Sequence, residues 1–162
     1  MFSDAVAGLI MRAETVLPSD VVDALEGALQ GEEEEIARIQ LDTILKNIRF
    51  AGEKKIPLCQ DTGLLKFYVG FGSASGVDLQ SVRDSLVEGV RTATREIPLR
   101  PNSVHPLTRK NSGDNTGRGV PSVELGFLPG GDYVEVTVFP KGAGSENMTF
   151  FRMLGSSTGA QG

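Results

Sequence analysis

Three polar, glycine-bearing segments hold the residues that could do chemistry. The first is Pro57-Leu58-Cys59-Gln60-Asp61-Thr62-Gly63. A thiol two positions ahead of a carboxylate places a soft metal ligand beside a group that can move a proton. The same residues also make an ordinary turn, closed by Asp61 and Gly63 around a buried cysteine. The second segment runs from Thr108 through Arg109, Lys110, Asn111, Ser112, Gly113, Asp114, Asn115 and Thr116 to Gly117. Its two cations and several amides suit a ligand bearing carboxylates. Asn and Asp equally populate loops because they bond their own backbone. The third segment, Lys141-Gly142-Ala143-Gly144-Ser145-Glu146-Asn147, follows a predicted strand. Glycines let a ligand approach the backbone, and free amides at a helix start bind anions. The segment differs from the Walker phosphate loop, because its lysine precedes the glycines. His105, the one histidine, lies in a proline-flanked loop and reads as structural, not catalytic.

The elements that must position these segments come from a chain of 162 residues, a length that suits one domain. Hydrophobic residues at 40% and charged residues at 23% allow a real core and exclude wholesale disorder. A net charge of −5 argues against a nucleic-acid binder, whose affinity rests on neutralising phosphates. No apolar run approaches the roughly 20 residues of a membrane span, and Met1-Phe2-Ser3-Asp4 lacks the basic start of a secretion signal. A single cysteine excludes a disulfide framework and any metal site built from several cysteines of this chain. It fits a reducing, cytoplasmic setting.

The first fifty residues read as helices. Ala5, Leu9, Ile10, Ala13 and Val16 share one face of the first. Ser19 or Asp20 can cap a second over Val21 to Leu29, ended by Gly31. Glu32 to Glu35 put negative charge at the start of a third, where the helix dipole favours it. Its apolar face is Ile36, Ile39, Ile44, Leu45, Ile48 and Ala51, and Gly52 stops it. Leu64 to Phe71 reads as a buried strand, and Asp78 to Glu96 as a helix closed by Pro98 and Pro101. Residues 101–120 form a long loop of the kind that is often functional. Strands over Ser122–Phe127 and Tyr133–Phe139, joined through Pro129-Gly130-Gly131-Asp132, read as an antiparallel hairpin. A last helix opens within Asn147 to Leu154. The expected fold is a single α+β domain over 1–162: a helical part over about 1–56 packed on a small, mainly antiparallel sheet within about 57–162. Gly-rich loops then converge on one sheet edge. The residues Gly155 to Gly162 carry no closing element, as expected of one piece of a larger protein.

Taken together and in this order, PLCQDTG (57–63), PLTRKNSGDNTG (106–117) and KGAGSEN (141–147) resemble class I, iron–sulfur-dependent fumarate hydratases. More broadly, they resemble the α subunit or N-terminal region shared by fumarases and L(+)-tartrate dehydratases. The resemblance implies a hydro-lyase that reversibly hydrates fumarate to L-malate, with tartrate dehydration as the alternative. It implies a [4Fe–4S] cluster held by three cysteines, whose open iron acts as a Lewis acid on the substrate. Cys59 corresponds to the first of those cysteines. Gln60 and Asp61 correspond to a substrate-contacting pair, with Asp61 as the catalytic proton-transfer group. Arg100 corresponds to an arginine that clamps a substrate carboxylate, and Arg109 is the other candidate for that clamp. Gly144 corresponds to a glycine whose backbone lies against the substrate. The other cluster cysteines and further carboxylate-binding residues would come from a β subunit or C-terminal domain, in a homo-oligomer or an α2β2 assembly. A small dicarboxylate would then be the ligand, with no nucleic acid and no membrane. A non-catalytic binding or assembly module with the same fold is the competing reading.

Overall fold

The structure is a computed structural model that describes residues 2–159. Helix α1 (Phe2–Thr15) buries Val6, Ala7 and Ile10 at helical spacing. Helix α4 (Leu79–Glu96) buries Val82, Leu86, Val90 and Ala93, each three or four residues from the next. Its start is fixed by Asp78, whose carboxylate accepts the Ser81 N–H at 2.8 Å. The two helices meet closely at Gly89, where a Cβ would stand 2.5 Å from Val6 Cγ1. Both join one core with Leu65, Phe67, Val69 and Phe71, which alternate along strand β1 (Leu64–Gly72) and so share one of its faces.

Strand β1 is the middle of three. Strand β2 (Ser122–Leu128) pairs with it in parallel, and β3 (Val134–Lys141) pairs on the other side, antiparallel. The fold is α+β, but the sheet is mixed and the expected hairpin does not form. The apolar β1 offers two edges, and each later strand takes one of them. The intervening link steps around the end of β1. Gly72 N–H donates to Tyr133 O at 3.0 Å, and Ala74 N–H donates to Gly131 O at 2.9 Å. A Cβ on Gly72 would lie 2.6 Å from Gly131 O, so this crossing requires glycine.

The helices differ from the pattern in four places. Helix α1 is rotated from the expected face: Ala5 and Val16 are exposed, and the buried stripe is Val6, Ala7, Ile10, Glu14 and Thr15. Helix α2 (Ser19–Gly31) has Pro18 as its N-cap and no side-chain cap, so neither Ser19 nor Asp20 plays that part. Helix α3 (Glu35–Lys54) runs through Gly52, because one glycine in a packed helix costs only about 1 kcal/mol. It stops instead at Lys55, left-handed at φ 53°, whose N–H returns to Ala51 O. The final helix comes earlier than expected: α5 spans Ala143–Asn147, and residues 150–154 have no regular structure. Gly155 and Thr158 close a turn (Thr158 N–H to Gly155 O, 3.0 Å), and the rest of the expected open end, 160–162, lies outside the described residues. Between α4 and β2, residues 98–121 hold only two isolated bridges, in line with the long loop expected there. Among the described residues no helix is long and apolar enough to cross a membrane.

Candidate active site

The sheet register assembles the site. Leu64 is paired with Lys141 at the last rung of the β1–β3 ladder. Counting three residues outward on each strand brings Asp61 opposite Gly144. There the Asp61 carboxylate accepts the Ala143 N–H at 3.0 Å and the Gly144 N–H at 2.9 Å, one on each oxygen. It thus caps the first turn of α5 and explains why that helix begins where it does. Glycines make room for it. A Cβ on Gly142 would stand 3.1 Å from Asp61 Oδ2, and one on Gly144 3.4 Å. Gly63 is left-handed at φ 72°, and a Cβ there would lie 2.1 Å from Lys141 O, so no other residue fits.

Backbone amides of Gly144 and Ala143 hold Asp61 below the usual carboxylate range, helped by the Arg100 charge and by Gly63 N–H. Cys59 is a free, exposed thiol on the same turn, its Sγ 3.7 Å from Asp61 O. Gln60 is exposed beside it. The structure therefore brings Cys59, Gln60, Asp61 and Gly144 to one junction. Its Gly144 amide faces the Asp61 carboxylate, where the sequence suggested an amide open to a ligand.

Arg100 reaches this junction through its backbone. Arg100 N–H donates to Thr62 Oγ1 at 3.1 Å, and that buried hydroxyl contacts Arg100 O at 3.3 Å. Arg109 sits elsewhere, left-handed at φ 57° in a turn where its N–H donates to His105 O at 2.8 Å. His105 organises the same turn: its Nδ1 accepts the N–H groups of Leu107 and Thr108 at 3.3 and 3.2 Å. The long loop is tied to the site by Asn102. Its side-chain amide donates to Gly63 O at 3.1 Å, and its N–H donates to Asn115 Oδ1 at 2.8 Å. Asp114 anchors the loop to α4 by accepting Arg91 Nε–H at 3.1 Å.

Thr62, Asn102 and Glu14 escaped the sequence reading as site residues. Thr62 and Asn102 work through backbone partners far along the chain, which no local pattern reveals. Glu14 did carry a signal: Val6, Ile10 and Glu14 recur every four residues, which puts a carboxyl on the buried stripe.

A metal ion needs more ligands than this junction offers. Among the described residues no group of three or more His, Cys, Asp and Glu is placed to hold one. Cys59 contributes a single exposed thiol there, its Sγ donating to Asp61 O at 3.7 Å.

Known proteins are similar to this chain in sequence over most or all of its length. A Methanocaldococcus jannaschii protein provisionally named L(+)-tartrate dehydratase subunit alpha is 42% identical over 162 residues, covering 99% of this chain and 57% of that protein. The L(+)-tartrate dehydratase subunit alpha of Escherichia coli K12 is 34% identical, covering 99% of this chain and 52% of its own length. A Geobacillus stearothermophilus protein provisionally named fumarate hydratase class I is 39% identical over 140 residues, 86% of this chain and 27% of that protein. The chain thus spans about half, or less, of the length of these curated relatives. Residues 3–162 match the fumarate hydratase (Fumerase) family, and the chain belongs to that family.

Proposed function

We propose that this chain is the α-subunit or N-terminal part of a [4Fe–4S]-dependent hydro-lyase that reversibly hydrates fumarate to L-malate. The observation that carries the reading is the closure of the 57–63 turn on the 141–147 loop through Asp61. It gathers Cys59, Gln60, Asp61 and Gly144 at one end of the sheet, where loops commonly carry chemistry. Cys59 would supply one of three thiolates to the cluster, the other two coming from the remainder of the assembly. When bound, the cluster supplies a Lewis-acidic iron.

The other roles fall to side chains of this chain. Arg100 places a cation beside the junction and pairs with a substrate carboxylate. Gln60, exposed on the turn, hydrogen-bonds the substrate. Asp61 stays ionised and can accept a proton. Gly144 lets its backbone lie against the substrate. The free, exposed thiol suits a reducing cytoplasm. A β subunit or C-terminal domain completes the site, in a homo-oligomer or an α2β2 assembly.

A second reading, L(+)-tartrate dehydration, draws support from the two relatives that carry that name and are 42% and 34% identical. Anaerobic cluster reconstitution of the complete enzyme, assayed with fumarate and with L(+)-tartrate, separates the two. Turnover of fumarate is expected. Turnover of tartrate alone selects the second reading, and a full cluster with neither activity overturns both.

A further inference from the structure

The sheet ends in two unequal edges. The outer strand β3 carries Pro140, with Glu135 and Lys141 near its ends, residue types that natural edge strands use against further pairing. Strand β2 has little of that protection. Ser122 to Leu128 contain no proline and no lysine. The one charge, Glu124, is taken up by Lys66 at 2.6 Å. Among the described residues β1 is the only strand beside β2, so the far side of β2 keeps a row of unpaired N–H and C=O groups.

The same strand is apolar on its inward face. Val123, Leu125 and Phe127 pair with Phe67, Val69 and Phe71 of β1, and paired residues share a face of the sheet. The three β1 residues are buried, yet Leu125 is 59% exposed and Phe127 94%. Helix α4 leaves a groove beside β2, lined by Leu79, Val82 and Leu86 on the helix and by Val123 and Leu125 on the strand.

One occupant satisfies edge, face and charge together, and that is β2 of a second copy. Set antiparallel about a two-fold axis at Leu125, two β2 strands place Val123 of each copy opposite Phe127 of the other. Phe127 then stands over the wall of the other copy's groove. Glu124 falls opposite Gly126, so the one charge of the strand does not meet itself. This register pairs every residue of the strand. A shift of two residues toward its start would set Glu124 against Glu124, a destabilising pair. The contact uses one patch on both molecules and therefore closes on itself.

We propose that β2 is a self-association edge, through which two copies of this chain join their sheets by antiparallel β2 strands, each Phe127 seated at the groove of the other copy. The proposal is independent of the hydro-lyase reading, and its failure leaves that reading intact.

The full chain tests it by sedimentation equilibrium, where the wild type is expected to have the mass of a dimer. Leu125→Lys and Leu125→Glu each set like charges face to face at the axis, and each alone should sediment as a monomer. An equimolar mixture of the two should recover the dimer, because opposite charges then meet. Leu125 is exposed, so both variants should keep the wild-type circular dichroism. Cysteine pairing reads the register. In a Cys59→Ser background, Leu125→Cys should form an intermolecular disulfide, since facing Cα atoms lie about 4.5–5.5 Å apart. Val123→Cys should not, since its two copies would stand about 13 Å apart along the strands. A monomeric wild type, a dimer that survives both charge variants, or a mixture that stays monomeric overturns the proposal. So does a disulfide that forms through Val123→Cys as readily as through Leu125→Cys. If a charge variant does not fold, the cysteine pair decides alone.

Discussion

The inner layer and the α2–α3 pair are both built from amphipathic helices, yet only one of them finds its apolar partner within the chain. Helices α1 and α4 bury their stripes against β1. Helix α2 buries no residue, and α3 buries only Leu45 and Ala51. On α3, Ile36 is 69% exposed, Ile39 56% and Phe50 50%. The 3.6-residue period reports that a helix has an apolar face, and it is silent on what covers that face. A contiguous exposed apolar surface is the informative exception to a polar exterior. Here it sets apart a layer that holds the site from a layer that faces outward.

The contrast can be broken or sharpened by substitution, and the largest effect belongs to the site itself. Asp61→Asn in the complete enzyme should cost about 10²–10⁴-fold in kcat, the usual loss for a group that moves a proton. The same variant should keep a full cluster, as measured by iron content. Arg100→Ala should act mainly on KM, since a substrate carboxylate loses its paired cation. Near-normal kcat in Asp61→Asn with a full cluster would remove the proton-transfer role and leave Asp61 as a helix cap.

Next in size is Leu86→Ala. Leu86 is fully buried between the inner helices and the sheet, so truncation should cost about 2–5 kcal/mol in urea unfolding. A loss below about 1 kcal/mol would mean that the inner layer is not the main core.

The third effect is a pH dependence. Burial alone would raise Asp114, but hydrogen bonds from Thr116 and Ser112 and the Arg91 guanidinium outweigh it and hold the carboxyl at about 2. A carboxyl lowered by folding adds stability above its unfolded value near pH 3.8 and surrenders it as pH falls toward 2. Asp114→Ala should therefore flatten the acid arm of stability across that window. It should also loosen the long loop, seen as faster amide exchange over residues 101–117. An unchanged acid arm would show that this loop is held by something other than its tie to α4.

The smallest effect is expected on α3. Ile39→Ala should change the unfolding free energy of this chain by no more than about 0.5 kcal/mol, as at other exposed positions. If α3 faces a partner, the same change should weaken assembly, read by analytical ultracentrifugation of the complete protein. A large loss of stability in the lone chain would show that α3 is covered after all.

Helices α1 to α4 and the β1 strand were legible in the sequence because their apolar periods are long and regular, whereas the five-residue α5 was not. Leu64–Gly72 and Leu79–Glu96 lie within a residue of the expected bounds. Strand pairing was not legible. The Pro129–Asp132 turn looks like a hairpin turn, but the choice between a neighbour in sequence and the more apolar β1 is made by the whole sheet. The gathering of Cys59, Asp61 and Gly144 could be foreseen from motif order, and their mutual arrangement could not. It follows from a ladder that pairs residues more than sixty positions apart. Glu14 shows the remaining limit: the expected α1 face of Ala5, Leu9, Ile10, Ala13 and Val16 left it outside, and only the folded helix places it on the buried stripe.

The middle position of β1 has a consequence for the birth of the molecule. Synthesis releases the N-terminal part first. Strand β1 therefore leaves the ribosome long before residues 122–141, which supply both of its neighbours. Helices α1 and α4 can cover its apolar face in the meantime, but both hydrogen-bonding edges stay open. An unpaired strand is a template for another chain. The nascent protein thus passes through a stretch of translation in which aggregation competes with folding, and slower elongation would lengthen that exposure.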